Sequence, residues 1–115
     1  MSRVVEARTL TEISNLITEN PYVLIDFAAE SWCVPCQRFK PHYEAASHKL
    51  TEVVFVHVDI DEADPIVSQV FGIQSVPTVM LFDERRVSQR WHIESRTAPA
   101  LLREVSLLTD TTVTR

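Results

Sequence analysis

The run Trp32-Cys33-Val34-Pro35-Cys36 holds both cysteines of the chain and follows directly on a strongly apolar segment, Tyr22 to Ala29. No other feature restricts the fold as tightly. Cysteines spaced i, i+3 share one face of the first turn of a helix, close enough for their sulfurs to bond. A helix start carries unpaired N–H groups and positive partial charge, which favour a thiolate at Cys33 over a free thiol of pKa about 8.5. Cys33 is the expected nucleophile and Cys36 the resolving thiol of a reversible disulfide. A purely structural disulfide across so short a loop would constrain the unfolded chain little. A structural zinc site needs four ligands, but there is no second Cys pair and no His-x-x-x-His, and His42, His48, His57 and His92 are scattered through different elements. A dimer-bridging iron–sulfur cluster is disfavoured too. Neither a metal nor a bound cofactor is expected.

The periodicity around this run predicts the order β-α-β-α-β-α-β-β-α. Arg3 to Ala7 reads as a short strand, and Thr9-Leu10-Thr11-Glu12 matches a capping box opening a helix that Pro21 ends. Tyr22 to Ala29, apolar except for Asp26, has the pattern of a central strand covered on both faces. A helix from Val34 to about Leu50 contains Pro41, which should kink it. Val53 to Asp59 is the next strand. Asp64-Pro65 supplies an N-cap and a first-turn proline for a helix through Val70, with Gly72 as its left-handed C-cap. The strands Thr78 to Asp83 and Arg86 to His92 flank a Glu84-Arg85 turn, and Thr97 caps a last helix to about Leu108. Crossovers imply parallel strands and the hairpin an antiparallel edge, giving an α/β fold with a central mixed β-sheet flanked by helices.

One domain, residues 1–108, with a frayed tail at 109–115, accounts for a chain of 115 residues and 45% hydrophobic content. The N-terminus lacks the pattern of a secretory signal, and no stretch approaches about 18 uninterrupted apolar residues, so a soluble cytoplasmic protein is expected; a monomer is the default expectation for it. A formal charge of −5 argues against nucleic-acid and anionic-membrane surfaces. The single glycine, Gly72, forces most turns to be built from the six prolines, Asn, Asp and Ser.

Over residues 3 to 108 the chain resembles the thioredoxin family. The resemblance is carried by Asp26-Phe27, Trp32-Cys33-Val34-Pro35-Cys36, Pro41, Val58-Asp59-Ile60-Asp61 and Val76-Pro77-Thr78. It implies the thioredoxin fold and the reduction of protein disulfides by Cys33 and Cys36, with a flavoprotein reductase restoring the dithiol. It also implies a cis Val76–Pro77 bond facing the cysteines, and substrate docking on Trp32, Val34, Pro35, Val76 and Pro77. Pro77 lacks an N–H, while the Val76 backbone can pair with an extended peptide. A rigid turn at Pro77 and a core position for Trp32 are the plainer alternatives. Trp91 is left outside the site. Asp26, a carboxylate in an apolar strand, should have a raised pKa suited to proton exchange with Cys36, the role the family gives the matching residue.

Three departures from the family pattern bear on the site. Five residues separate Asp26 from Trp32, one more than usual, so a bulge near Glu30-Ser31 is expected. His57 stands where the family commonly has lysine and should lose its charge between pH 6 and 8, modulating Asp26, unless it is simply a half-buried strand histidine. Ile93 occupies a position where glycine usually opens the groove, and the hairpin lacks Asn-Gly. A groove so altered would also suit an adaptor or chaperone that binds one partner with little general reductase activity.

Overall fold

The computed structural model describes residues 2–86 and 89–114. The elements are β1 (Val5–Glu6), α1 (Leu10–Glu19), β2 (Tyr22–Ala28), α2 (Val34–Lys49), β3 (Val54–Asp59), α3 (Pro65–Phe71), β4 (Thr78–Asp83), β5 (Arg90–Ile93) and α4 (Ala98–Thr109), with a 3-10 turn at Glu84–Arg86. This is the expected order. The sheet runs β1-β3-β2-β4-β5, parallel through β1, β3 and β2 and antiparallel from β2 through β4 to β5.

Alternation along β2 divides the core. Val23, Ile25 and Phe27 face a cluster that includes Ile13 of α1 and Val67 and Phe71 of α3. Leu24 faces the opposite cluster with Phe39 and Tyr43 of α2 and Leu101 and Val105 of α4. Strand residues i and i+2 share a face, so Asp26 lies on the α2 side with Leu24 and Ala28. The Tyr43 hydroxyl, buried there, lies 2.9 Å from the Leu24 carbonyl and 2.8 Å from that of Val56, and its proton ties α2 to two strands.

Several local signals work as expected. Glu12 N–H donates to Thr9 Oγ1 (3.1 Å), and Thr9 N–H donates to Glu12 Oε1 (3.0 Å), completing the capping box. Gly72 closes α3 at φ 65°, in the left-handed region. Pro41 is accommodated inside α2 without ending it.

Other expectations need correction. Strand β1 is shorter than Arg3 to Ala7, because only Val5 and Glu6 pair with β3. Asp64 and Thr97 occupy N-cap positions, but neither side chain caps its helix; the Ala98 N–H instead donates to Nδ1 of His42, reaching across from α2 (3.0 Å). In the hairpin, Arg86 belongs to the 3-10 turn rather than to the last strand, and Val87 and Ser88 lie outside the described residues. The nearly buried Asp83 carboxylate accepts from the Arg85 N–H (2.9 Å), doing work that a glycine turn would otherwise do. The C-terminus does not fray as expected. Thr109 is buried, Val113 packs on the α2/α4 core, and the N–H groups of Thr112 and Thr114 donate to Glu52 Oε2 (3.1 Å) and to the Lys49 carbonyl (2.6 Å).

Candidate active site

Strand β2 delivers the chain to the site and α2 carries it away. The extra residue is accommodated near Glu30-Ser31, where expected, but as a turn rather than a bulge: β2 and β3 stay in register from Val23↔Val54 to Ala28↔Asp59. The extra residue is taken up after the strand has ended, in a turn where the N–H groups of Trp32 (3.3 Å) and Cys33 (2.9 Å) both donate to the Ala29 carbonyl. A turn is the cheaper place for it, because a bulge within β2 would break ladder bonds between two buried strands.

Cys33 is the N-cap of α2, and its sulfur accepts from the Cys36 N–H at 3.2 Å. Pro35 sits in the first turn, where a missing N–H breaks no helical bond. Cys33 and Cys36 are joined in a disulfide with Cα atoms 5.2 Å apart. Ala28, Ala29, Ile60 and Val76 pack around it. Cys36 is fully buried and Cys33 is 4% exposed, so both are buried in the disulfide form.

The Val76–Pro77 bond is cis, as expected. The Val76 carbonyl oxygen lies 3.7 Å from Cys33 Sγ, a position that a reduced thiol could donate to and a disulfide sulfur cannot. Pro77 borders two clefts, of about 270 Å³ and 320 Å³; Pro35, Phe39, Arg38 and Arg96 help line the larger. Trp32 is 61% exposed, which removes the core alternative, and its indole N–H donates to Asp61 (2.8 Å). Val34 is also exposed. Val76 packs against the disulfide, Pro35 and Pro77 share the larger cleft, and Trp32 and Val34 are the exposed apolar neighbours of Cys33 in the chain. Ile93 is 1% exposed, in the core as the last residue of β5, and together with its exposed neighbour Glu94 it also lines the smaller cleft beside Pro77.

Asp26 is fully buried, and neither carboxylate oxygen has a hydrogen-bond partner. Desolvation pushes its pKa up to about 7; the charge of His57 opposes that rise and Glu30 adds to it. His57 pairs directly with Asp26 across the strands. Its ring is held between Glu6, 2.8 Å from Nδ1, and Glu30, 2.9 Å from Nε2. Burial favours the neutral ring, yet the two carboxylates outweigh it and raise the His57 pKa to about 9. The expected loss of charge between pH 6 and 8 is corrected accordingly: His57 remains an imidazolium over that range. Sequence reading missed Glu6, Glu30 and Arg96. Glu6 and Glu30 act through register and a turn, for which the chain has no local signal. Arg96 donates to the carbonyls of Ile93 (2.6 Å) and Pro77 (3.4 Å) and lies over the Phe39 ring, bracing the cis-proline loop.

A disulfide at the N-terminus of a helix, facing a cis-proline loop across one end of a mixed sheet, defines a thioredoxin-fold domain with a dithiol–disulfide centre. The family model described as Thioredoxin matches residues 4–106, and the chain belongs to the thioredoxin family. It is 46% identical over 77 residues to "Putative thioredoxin 2" of Streptomyces coelicolor, covering 67% of this chain and 56% of that one. Thioredoxin of Mycoplasma pneumoniae is 34% identical over 87 residues, covering 76% and 83%. Among solved structures, oxidised thioredoxin from Plasmodium falciparum superposes with a TM-score of 0.77 at 30% identity, covering 92% and 98%. The matched region spans 56% of the Streptomyces protein and 66% of "Thioredoxin 1" of Plasmodium falciparum. Among the described residues no helix is long and apolar enough to cross a membrane.

Proposed function

We propose that the protein is a thiol–disulfide oxidoreductase that reduces protein disulfides. The observation that carries this reading is the Cys33–Cys36 disulfide at the start of α2, with the Val76 carbonyl against Cys33 Sγ. In the reduced protein the Cys33 thiolate, stabilised by the helix start and the Cys36 N–H, attacks a substrate disulfide; a mixed disulfide forms and one substrate thiolate leaves. Asp26 then accepts the Cys36 proton, directly or through water, and the Cys36 thiolate attacks Cys33 Sγ. The second substrate thiolate leaves and takes up a proton, and the Cys33–Cys36 disulfide is restored. Val76 offers backbone pairing to an extended substrate while Trp32, Val34, Pro35 and Pro77 supply apolar contact. A flavoprotein reductase returns the dithiol, and the protein works as a cytoplasmic monomer. The buried carboxylate supports turnover over an adaptor role, for which it would have no use.

Reduction of insulin by dithiothreitol tests the proposal. The wild-type protein should accelerate precipitation and Cys33→Ser should not. A Cys36→Ser variant should accumulate mixed disulfides with substrate proteins, whereas Cys33→Ser should trap none; equal trapping by both would sink the assignment of roles.

A further inference from the structure

We propose that Asp26, Glu30 and His57 form a binding site for a divalent transition-metal cation, Zn²⁺ foremost, separate from the cysteine sulfurs. One donor atom from each residue lies within 4.8 Å of the other two. The sheet builds most of this arrangement: Glu6, His57 and Asp26 stand side by side in register across β1, β3 and β2, and Glu30 closes the row from the turn after β2. Asp26 points into the cluster with both oxygens buried and without partners, the state of a carboxylate with ligand capacity to spare. Glu6 holds Nδ1 of His57, leaving Nε2 directed at Glu30. A carboxylate on the far nitrogen of a histidine is the usual support for a metal-bound imidazole.

Access and charge agree with this assignment. A cleft of about 240 Å³, lined in part by Glu6, Lys40, Glu30, His57 and Asp59, reaches Glu30 and His57, with buried Asp26 outside its lining. Of the two fixed cations beside it, Arg8 is paired with Glu62 (3.4 Å), so the carboxylates dominate the entrance. Zn²⁺ with bonds of about 2.0–2.2 Å sets tetrahedral donors roughly 3.4 Å apart; donor separations of up to 4.8 Å therefore have to close while the His57–Glu30 pair, at 2.9 Å, opens. The Glu30 side chain, 20% exposed and carried on the turn after β2, supplies the movement on its side of the cluster. Binding releases the Nε2 proton to solvent and leaves a fourth position for water. One imidazole with two carboxylates suits Zn²⁺, Co²⁺ and Mn²⁺ better than Mg²⁺, which prefers to keep its waters. If Asp26 accepts the Cys36 proton as proposed above, bound metal also blocks that step.

The test uses the full chain in its oxidised form, where no thiol can bind metal, so its outcome bears on the site and not on the redox reading. Calorimetric titration with Zn²⁺ at neutral pH should show saturable 1:1 binding. Glu30→Gln and His57→Lys should each weaken it at least about tenfold, and Glu6→Gln about tenfold. Circular dichroism establishes that the variants are folded, and the visible absorption of Co²⁺ bound to the wild type should vanish in His57→Lys. Absence of saturable binding overturns the proposal. So does wild-type affinity in either Glu30→Gln or His57→Lys, which would put the metal on exposed groups such as His48 or His92.

Discussion

Asp26 works against the fold that contains it. Its carboxylate has no hydrogen-bond partner, and its folded pKa of about 7 lies above the ordinary 3.8, so the native state binds a proton more tightly than the unfolded chain. Stability should therefore fall as pH rises from about 4 to 7, and the penalty should be complete above that window. Urea unfolding of Asp26→Asn at pH 8 should show a gain over wild type of at most about 4 kcal/mol, vanishing near pH 4. His57 shifts in the favourable sense. With a folded pKa of about 9 against 6.5, its charged form stabilises the protein fully below pH 6.5, and that contribution is lost as pH rises through 9. Because His57 holds its charge as a lysine would, rates of mixed-disulfide resolution for wild type and His57→Lys should coincide between pH 6 and 8. They should separate only above about pH 9, and a divergence near pH 7 would mean that Glu6 and Glu30 do not hold the proton.

Among the elements, the helix starts separate local from tertiary control. Thr9 and Glu12 satisfy one another within four residues, so the start of α1 is written in its own sequence, and Thr9→Ala should cost about 1 kcal/mol. Thr97 offers the same local signal at α4 and does not use it, since His42 of α2 already accepts the Ala98 N–H. Chemical denaturation should show Thr97→Ala close to neutral, and His42→Ala costing about 1 kcal/mol through loss of that bond. The turn before Cys33 follows the same logic. The extra residue near Glu30-Ser31 is legible in the spacing, while its form, a turn that leaves β2 paired with both β3 and β4, is decided by the sheet.

For the whole molecule, the two faces of the sheet are sealed by different helices, and the C-terminal segment completes one of them. Val113 covers the α2/α4 core while Thr112 and Thr114 bond to residues around the end of α2. Removing residues 111–115 should lower stability by about 1–2 kcal/mol through lost apolar burial, read as a reduced Tm with the disulfide intact. The composition of this segment, rich in Thr, suggests a loose end, because a single valine and two backbone N–H groups leave no periodic trace.

What the sequence determined by itself was whatever rests on short-range chemistry. The i, i+3 cysteines at a helix start, the Thr9–Glu12 capping box, Gly72 at a positive φ and the near-continuous apolar run of β2 each act within a few residues. The order of elements follows from them, and the Val76-Pro77-Thr78 match pointed to the cis bond through family resemblance. Only the tertiary structure decided which charges meet. Glu6, Asp26, Glu30 and His57 come from two parallel pairings and a turn, and the field they create keeps His57 charged where an isolated imidazole would titrate. Strand register and desolvation are properties of the assembled sheet, so neither can be read from any one segment of the chain.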